Sequence, residues 1–148
     1  MLSGIRGVGK TTTARLIAQA INCKKNFIQV EKCNYEEHCS CREISEFKNL
    51  DVIEIDGAQH TGVDSIKELI ASCLYAPTTT KYKVIIADEF QMLSKSSFAA
   101  LLKTLEEPPP HLKFIFCTTE LKKIPVTIIS RCQRFDLHRV PIRDLLAN

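Results

Sequence analysis

The stretch that most constrains this chain is Gly4-Ile5-Arg6-Gly7-Val8-Gly9-Lys10-Thr11. It fits G-x-x-x-x-G-K-[ST], a loop whose glycines let successive backbone N–H groups converge on phosphate oxygens. In that pattern Lys10 reaches the β- and γ-phosphates of a nucleotide such as ATP, and Thr11 supplies a hydroxyl to Mg²⁺. Gly4, Gly7, Val8, Gly9 and Thr12 complete the cradle. A helix is expected to follow, because its positive end adds to the anion site. The plain alternative is a glycine turn ahead of an ordinary helix. A partner motif downstream separates the two.

That partner is Val84-Ile85-Ile86-Ala87-Asp88-Glu89, an apolar run ending in two carboxylates. Asp88 is placed to hold Mg²⁺, and Glu89 to orient or deprotonate an attacking water. Alone, such a run would read as a strand ending in a solvated acidic turn. Two weaker points follow. Thr119, in Thr118-Thr119 after the run from Phe114, has a hydroxyl that could sense a γ-phosphate, although most such threonines only make turns. Arg131, in Ser130-Arg131-Cys132, could reach a neighbouring subunit's nucleotide as an arginine finger acting in trans. Unaided, it reads as a surface arginine.

Hydrophobic periodicity places these motifs. Buried strands are expected over Leu50–Ile55, Tyr82–Ala87 and Phe114–Thr118, with a partly alternating one over Cys132–Val140. Helices are expected over Thr11–Ile21, over Gly62–Leu74 with Ile66, Leu69, Ile70 and Leu74 on one face, and over Ser94–Leu105 with Phe98, Leu101, Leu102 and Leu105 inward. Ser94 suits an N-cap, and Pro108-Pro109-Pro110 stops that helix. Strands alternating with helices predict an α/β fold, a parallel sheet covered on both faces that binds ligands at the strands' carboxyl ends. One domain, 1–140, is expected, with 141–148 beginning a further, unfinished helix.

Net charge is +3, which permits phosphate contact without demanding it. No apolar run is long enough for a membrane helix, and the start has no signal-peptide pattern. Of seven cysteines, Cys23, Cys33, Cys39 and Cys41 fall within one insertion, about 22–42. Four thiolates so grouped can close a tetrahedral Zn²⁺ site, with His38 as a substitute ligand. Free thiols in a drifted loop are the alternative. An odd count argues against a disulfide framework and for a reducing, cytoplasmic setting.

The phosphate loop, the acidic pair, Thr119 and Arg131, in this order, resemble the AAA+ P-loop ATPases. Three further stretches narrow the likeness: Asp51-Val52-Ile53-Glu54-Ile55-Asp56, Leu101-Leu102-Lys103-Thr104-Leu105-Glu106-Glu107-Pro108-Pro109, and Pro125-Val126-Thr127-Ile128-Ile129-Ser130-Arg131-Cys132. They resemble the gamma/tau subunits of bacterial DNA polymerase III clamp loaders over nearly the whole chain. The resemblance implies an ATPase core in a five-membered ring with gamma/tau, delta and delta-prime subunits, which opens the sliding clamp and places it on primed DNA. It also implies a four-cysteine zinc module, though the spacing here has gained two residues.

Departures carry expectations of their own. Phe90-Gln91-Met92-Leu93 differs from the family's usual Val-His-Met-Leu, a change expected to bear on packing more than chemistry. Gln59-His60-Thr61-Gly62 stands where relatives often carry basic residues, leaving a helix N-terminus and Lys67 for DNA phosphate. Only Met1-Leu2-Ser3 is left to form the strand feeding the phosphate loop, so exposed sheet edges are expected. A lid and collar would follow Val140. Two alternatives stay open: a delta-prime-like interaction subunit that does not hydrolyse ATP, and an unrelated P-loop kinase.

Overall fold

The computed structural model describes residues 1–24, 39–59 and 62–140. Cys33, His38, His60, Thr61 and the segment 141–148 lie outside the described residues.

Five parallel strands form one sheet: β1 (Leu2–Ser3), β2 (Val52–Asp56), β3 (Lys83–Asp88), β4 (Leu112–Thr118) and β5 (Phe135–Asp136). Their order across the sheet is β2-β3-β4-β1-β5. The helices are α1 (Lys10–Asn22), α2 (Cys41–Ser45), α3 (Val63–Cys73), α4 (Lys95–Glu106) and α5 (Val126–Ile129). Among the described residues no helix is long and apolar enough to cross a membrane.

Side-chain alternation splits the core into two layers, as the pleat requires. Val84 and Ile86 of β3, Ile115 and Cys117 of β4, and Leu2 of β1 pack with Ala14 and Ala18 of α1. On the opposite face, Ala87 and Phe116 meet Ile66 of α3, Phe98 and Leu101 of α4, and Ile128 of α5. Phe90 is fully buried there, stacked 4.0 Å from the Phe116 ring and edge-on to Phe98 at 5.2 Å. On α3, Ile66 is buried as expected, but Leu74 is 62% exposed and Cys73 takes the inward place. The turn after Ala71 ends the helix before Leu74 can join its apolar face. Ser94 caps α4, its hydroxyl accepting from the Ser97 N–H at 3.1 Å.

The short first strand is fully used. Leu2 and Ser3 lie between β4 and β5, in register with Cys117 and Thr118 on one side and Phe135 and Asp136 on the other. Bonds from the Gly4 N–H to the Thr118 carbonyl (3.2 Å) and from the Leu137 N–H to the Ser3 carbonyl (2.7 Å) extend this pairing. The Met1 ammonium donates to the Gln133 carbonyl at 2.6 Å. The first strand is short, as expected, but it leaves no open edge at its own position, because β4 and β5 pair with it on either side. The expected strand over Cys132–Val140 shrinks to Phe135–Asp136, because β1 offers a partner over only two residues.

Asp51 ties the start of β2 to the turn before β3. Its buried carboxylate accepts from the N–H groups of Thr78 (2.9 Å), Thr79 (2.7 Å) and Thr80 (3.0 Å) and from the Thr79 hydroxyl (3.0 Å). Burial opposes its charge, but these donors outweigh that and hold the carboxyl at about 2.

Candidate functional site

The turn from β1 into α1 brings the glycine loop to the carboxyl ends of β1, β3 and β4. Gly9, the residue before α1, has φ 86°, a left-handed conformation that costs an L side chain about 1–2 kcal/mol. The loop opens on a cleft of about 530 Å³, lined by Arg6, Gly7, Gly9, Lys10, Thr11, Thr12, Glu54, Ile55, Asp56, Asp88 and Glu89. Lys10 is buried, with Nζ donating to the Gly4 and Ile5 carbonyls at 2.9 Å each. Those two bonds hold the ammonium against the loop at the edge of the cleft that Lys10 lines. Thr11 donates its hydroxyl to Asp88 Oδ2. Two hard oxygen donors thus meet at one point, a set suited to Mg²⁺.

β3 delivers the acidic pair. Asp88 is its last residue, opposite Asp56 of β2. Glu89 follows at φ 44°, ψ 41°, with its N–H held by Asp88 Oδ1 at 2.8 Å. A non-glycine residue in this conformation stores strain, a feature that clusters at functional sites. Gly57 makes the turn possible. A Cβ there would stand 2.6 Å from the Glu89 carbonyl oxygen, and the Gly57 N–H donates to the Asp88 carbonyl at 2.8 Å.

Thr119, just past β4, reaches the same turn. Its hydroxyl lies 3.3 Å from Glu89 Oε2. Gln91 stands between them: its Nε2 donates to Glu89 Oε2 at 2.6 Å and to Thr119 Oγ1 at 2.9 Å. The reading of this position as a packing difference is therefore incomplete. Phe90 supplies the packing, and Gln91 joins the polar network.

Arg131 lies apart from that cleft. It lines a different groove of about 370 Å³ with Met1, Pro108 and Phe135, none of which lines the first. Its guanidinium bonds Glu106 on its own domain. Lys67 is exposed and pairs with Asp64 at 3.5 Å.

Three of the four cluster cysteines come together. The sulfurs of Cys23, Cys39 and Cys41 lie within 4.8 Å of one another, with Cys23–Cys39 at 3.9 Å and Cys39–Cys41 at 3.0 Å. Zn–S bonds of about 2.3 Å in a tetrahedron set sulfurs about 3.8 Å apart, so the first pair already fits and the second needs a small opening. Gln19 of α1 anchors this corner, its Nε2 donating to the Cys41 carbonyl at 2.8 Å. The expected ligands Cys33 and His38 lie outside the described residues. The remaining cysteines are of another kind. Burial, and then the nearby Asp88 charge, pushes Cys117 up to about 12, and burial also raises Cys73 and Cys132. These are inert packing thiols.

Residues 1–141 match the family described as DNA polymerase III, delta subunit. The chain belongs to this family. Among its relatives, the DNA polymerase III subunit gamma of Buchnera aphidicola (Acyrthosiphon pisum) is 51% identical over 137 residues, 93% of this chain and 37% of the relative. The subunit tau of Bacillus subtilis is 51% identical over 140 residues, 95% of this chain and 24% of the relative. That of Escherichia coli is 46% identical over 145 residues, covering 98% and 22%. The chain thus spans between about a fifth and two fifths of these relatives. Of solved structures, a gamma subunit-related protein of Thermotoga maritima aligns with TM-score 0.58 at 23% identity, covering 93% of this chain and 49% of that one. The Holliday junction branch migration motor RuvB of the same organism aligns with TM-score 0.62 at 18% identity, covering 97% and 39%. At such identities the likeness is one of fold, a parallel α/β sheet.

Within this polymerase III family chain, sequence reasoning missed the roles of Gly57 and Gln91. Gly57 gives its signal only once β2 and β3 are paired, because the close approach is to a residue 32 positions away. Gln91 was visible as a departure from the family's pattern. Its partners Thr118 and Thr119 were not, since they stand at and just past the end of another strand.

Proposed function

We propose that this chain is the ATP-binding and ATP-hydrolysing core of a DNA polymerase III clamp-loader subunit. The convergence of Lys10, Thr11, Asp88 and Glu89 on one cleft, with Thr119 hydrogen-bonded to Glu89, supports the reading. Backbone N–H groups of Gly7, Val8 and Gly9, with Lys10, bind the phosphates, and Thr12 sits on the first turn of α1 beside them. Thr11 and Asp88 hold Mg²⁺, which when bound neutralises charge on the phosphate oxygens. Glu89 takes a proton from the attacking water, and Thr119 orients the γ-phosphate side of the site. Arg131 completes the site of an adjacent subunit.

The same proposal extends to the wider assembly. The partners are gamma/tau, delta and delta-prime subunits, the sliding clamp and primed DNA, in the cytoplasm. Cys23, Cys39 and Cys41, with Cys33 or His38, hold a structural Zn²⁺. Residues 1–140 form the core, and 141–148 begin the next region.

The test is nucleotide binding and turnover by the full chain, alone and with clamp-loader partners. Lys10→Ala should abolish ATP binding, and Glu89→Gln should keep binding and lose turnover. Equal ATP affinity for Lys10→Ala and the parent would sink the reading. A second reading is a delta-prime-like subunit without hydrolysis, favoured by the match to the family described as DNA polymerase III, delta subunit. Parent and Glu89→Gln would then bind ATP alike and neither would turn it over. A kinase would ignore clamp and primed DNA, whereas a clamp loader's hydrolysis rises with both.

A further inference from the structure

We propose that Gln91 is a positioning residue that locks the Glu89 carboxylate to Thr119 and so couples the base to the end of β4. The inference rests on the hydrolytic reading above.

Gln91 is buried, 7% exposed, on the short turn Phe90–Met92. All four hydrogen-bonding capacities of its amide are engaged. Oε1 accepts from the Thr118 hydroxyl at 2.7 Å and the Thr119 N–H at 3.3 Å. Nε2 donates to Glu89 Oε2 and Thr119 Oγ1. The amide orientation follows from chemistry: a backbone N–H can only donate, so the oxygen must face Thr119 N and the NH₂ must face the carboxylate.

This arrangement does more than fill space. Both contacts to Glu89 fall on Oε2, which leaves Oε1, among the described residues, as the atom to take a proton. The turn under Gln91 is fixed by Phe90, wedged between Phe116 and Phe98. The Glu89 backbone is fixed by Asp88 and by its approach to Gly57. What remains free is the direction of the Glu89 side chain, and the 2.6 Å bond from Gln91 sets it. A bond from a neutral amide to a carboxylate is charge-assisted and strong, and the amide neither titrates nor competes for the proton. A shift of Thr119 is transmitted to Glu89 through one shared NH₂ group.

The experiment is single-turnover ATP hydrolysis with ATP affinity measured alongside, on the full chain with its clamp-loader partners. Gln91→Met keeps length and removes both donors. It should lower the hydrolysis rate about 10–100-fold, part of the about 10²–10⁴ that a general base supplies, with ATP affinity within about twofold of the parent. Gln91→Glu keeps shape and sets a carboxylate against Glu89, so its loss should be at least as large. Gln91→His restores a ring N–H donor and should recover part of the rate. Thermal unfolding of each variant checks the fold, and the near-isosteric Glu variant keeps the test open if Met destabilises. A parental rate in Met and Glu variants while Glu89→Gln is dead overturns the positioning role and leaves the hydrolytic reading standing. Equal losses of rate and affinity also overturn it. A parent that turns over no ATP, alone or with partners, overturns both.

Discussion

Arg131 Nη2 lies 2.6 Å from Glu106 Oε1, and Arg131 Nη1 donates to the Thr127 carbonyl at 2.7 Å. The residue proposed to serve a neighbour's nucleotide is thus held by an acid on its own domain. The pair is partly exposed, and such pairs contribute about 0–1 kcal/mol, so a neighbouring triphosphate can compete for the guanidinium.

Arg131→Ala should therefore leave ATP binding intact and remove clamp- and DNA-stimulated hydrolysis, since a trans arginine finger is worth about 10³–10⁵ in rate. Mixing experiments read the direction. A subunit with Arg131→Ala should keep its own active site when its neighbour supplies the arginine, and a Lys10→Ala subunit should still activate the adjacent site. Defects that always fall on one site would place the arginine in cis.

Elemental analysis of protein purified without chelator should find one Zn²⁺ per chain. Cys23→Ser should lose it, because that sulfur supplies the tetrahedral 3.9 Å spacing to Cys39. Cys33→Ser and His38→Ala, compared side by side, identify the fourth ligand. Less than about a tenth of an equivalent in the parent would mean free thiols.

Asp51 sets the acid limb of stability. Its folded pKa of about 2 lies below its ordinary value of 3.8, so its contribution is full above about pH 4 and is lost as pH falls through about 2. Asp51→Asn keeps one acceptor but turns an NH₂ toward the Thr78–Thr80 donors. At pH 7 it should cost about 2–3 kcal/mol in urea unfolding, the scale of a hydrogen-bonded charged group. The gap to the parent should narrow as pH approaches 2. A pH-independent gap would show that the carboxylate charge is not what holds the turn.

Gly57→Ala probes the acidic turn without touching it. A methyl 2.6 Å from the Glu89 carbonyl oxygen forces the backbone at Asp88 and Glu89 to move. A misplacement of about 1 Å costs about 10²-fold in rate, so hydrolysis should fall by that order while the loop around Lys10 still binds ATP. Unchanged turnover would mean the turn has room to give.

How much of this was legible in the sequence depends on range. The phosphate loop is local: eight consecutive residues specify the glycine conformations, the lysine and the hydroxyl. β3 ends on its carboxylates because Val84–Ala87 is apolar without a break. Helix α4 announced itself through Ser94 and the proline run. What could not be read needs the sheet assembled first. Leu2–Ser3 looks too short to be a strand until β4 and β5 flank it. Leu74 fits the helical period, yet the helix has ended before it.

Helix α4 spans the distance between two functional ends. Phe98, near its start, packs on Phe90 next to Glu89, and Glu106, its last residue, holds Arg131. Eight residues at 1.5 Å each separate them by about 12 Å, so a tilt of about 5° pivoting at Phe98 carries Glu106 by about 1 Å. That is enough to break a 2.6 Å contact. If Arg131 serves a neighbouring site as proposed, the helix is a lever arm with its fulcrum beside one nucleotide site and its tip at the arginine offered to the next, and a shift of the Phe90 turn would loosen or tighten the sheath on that arginine.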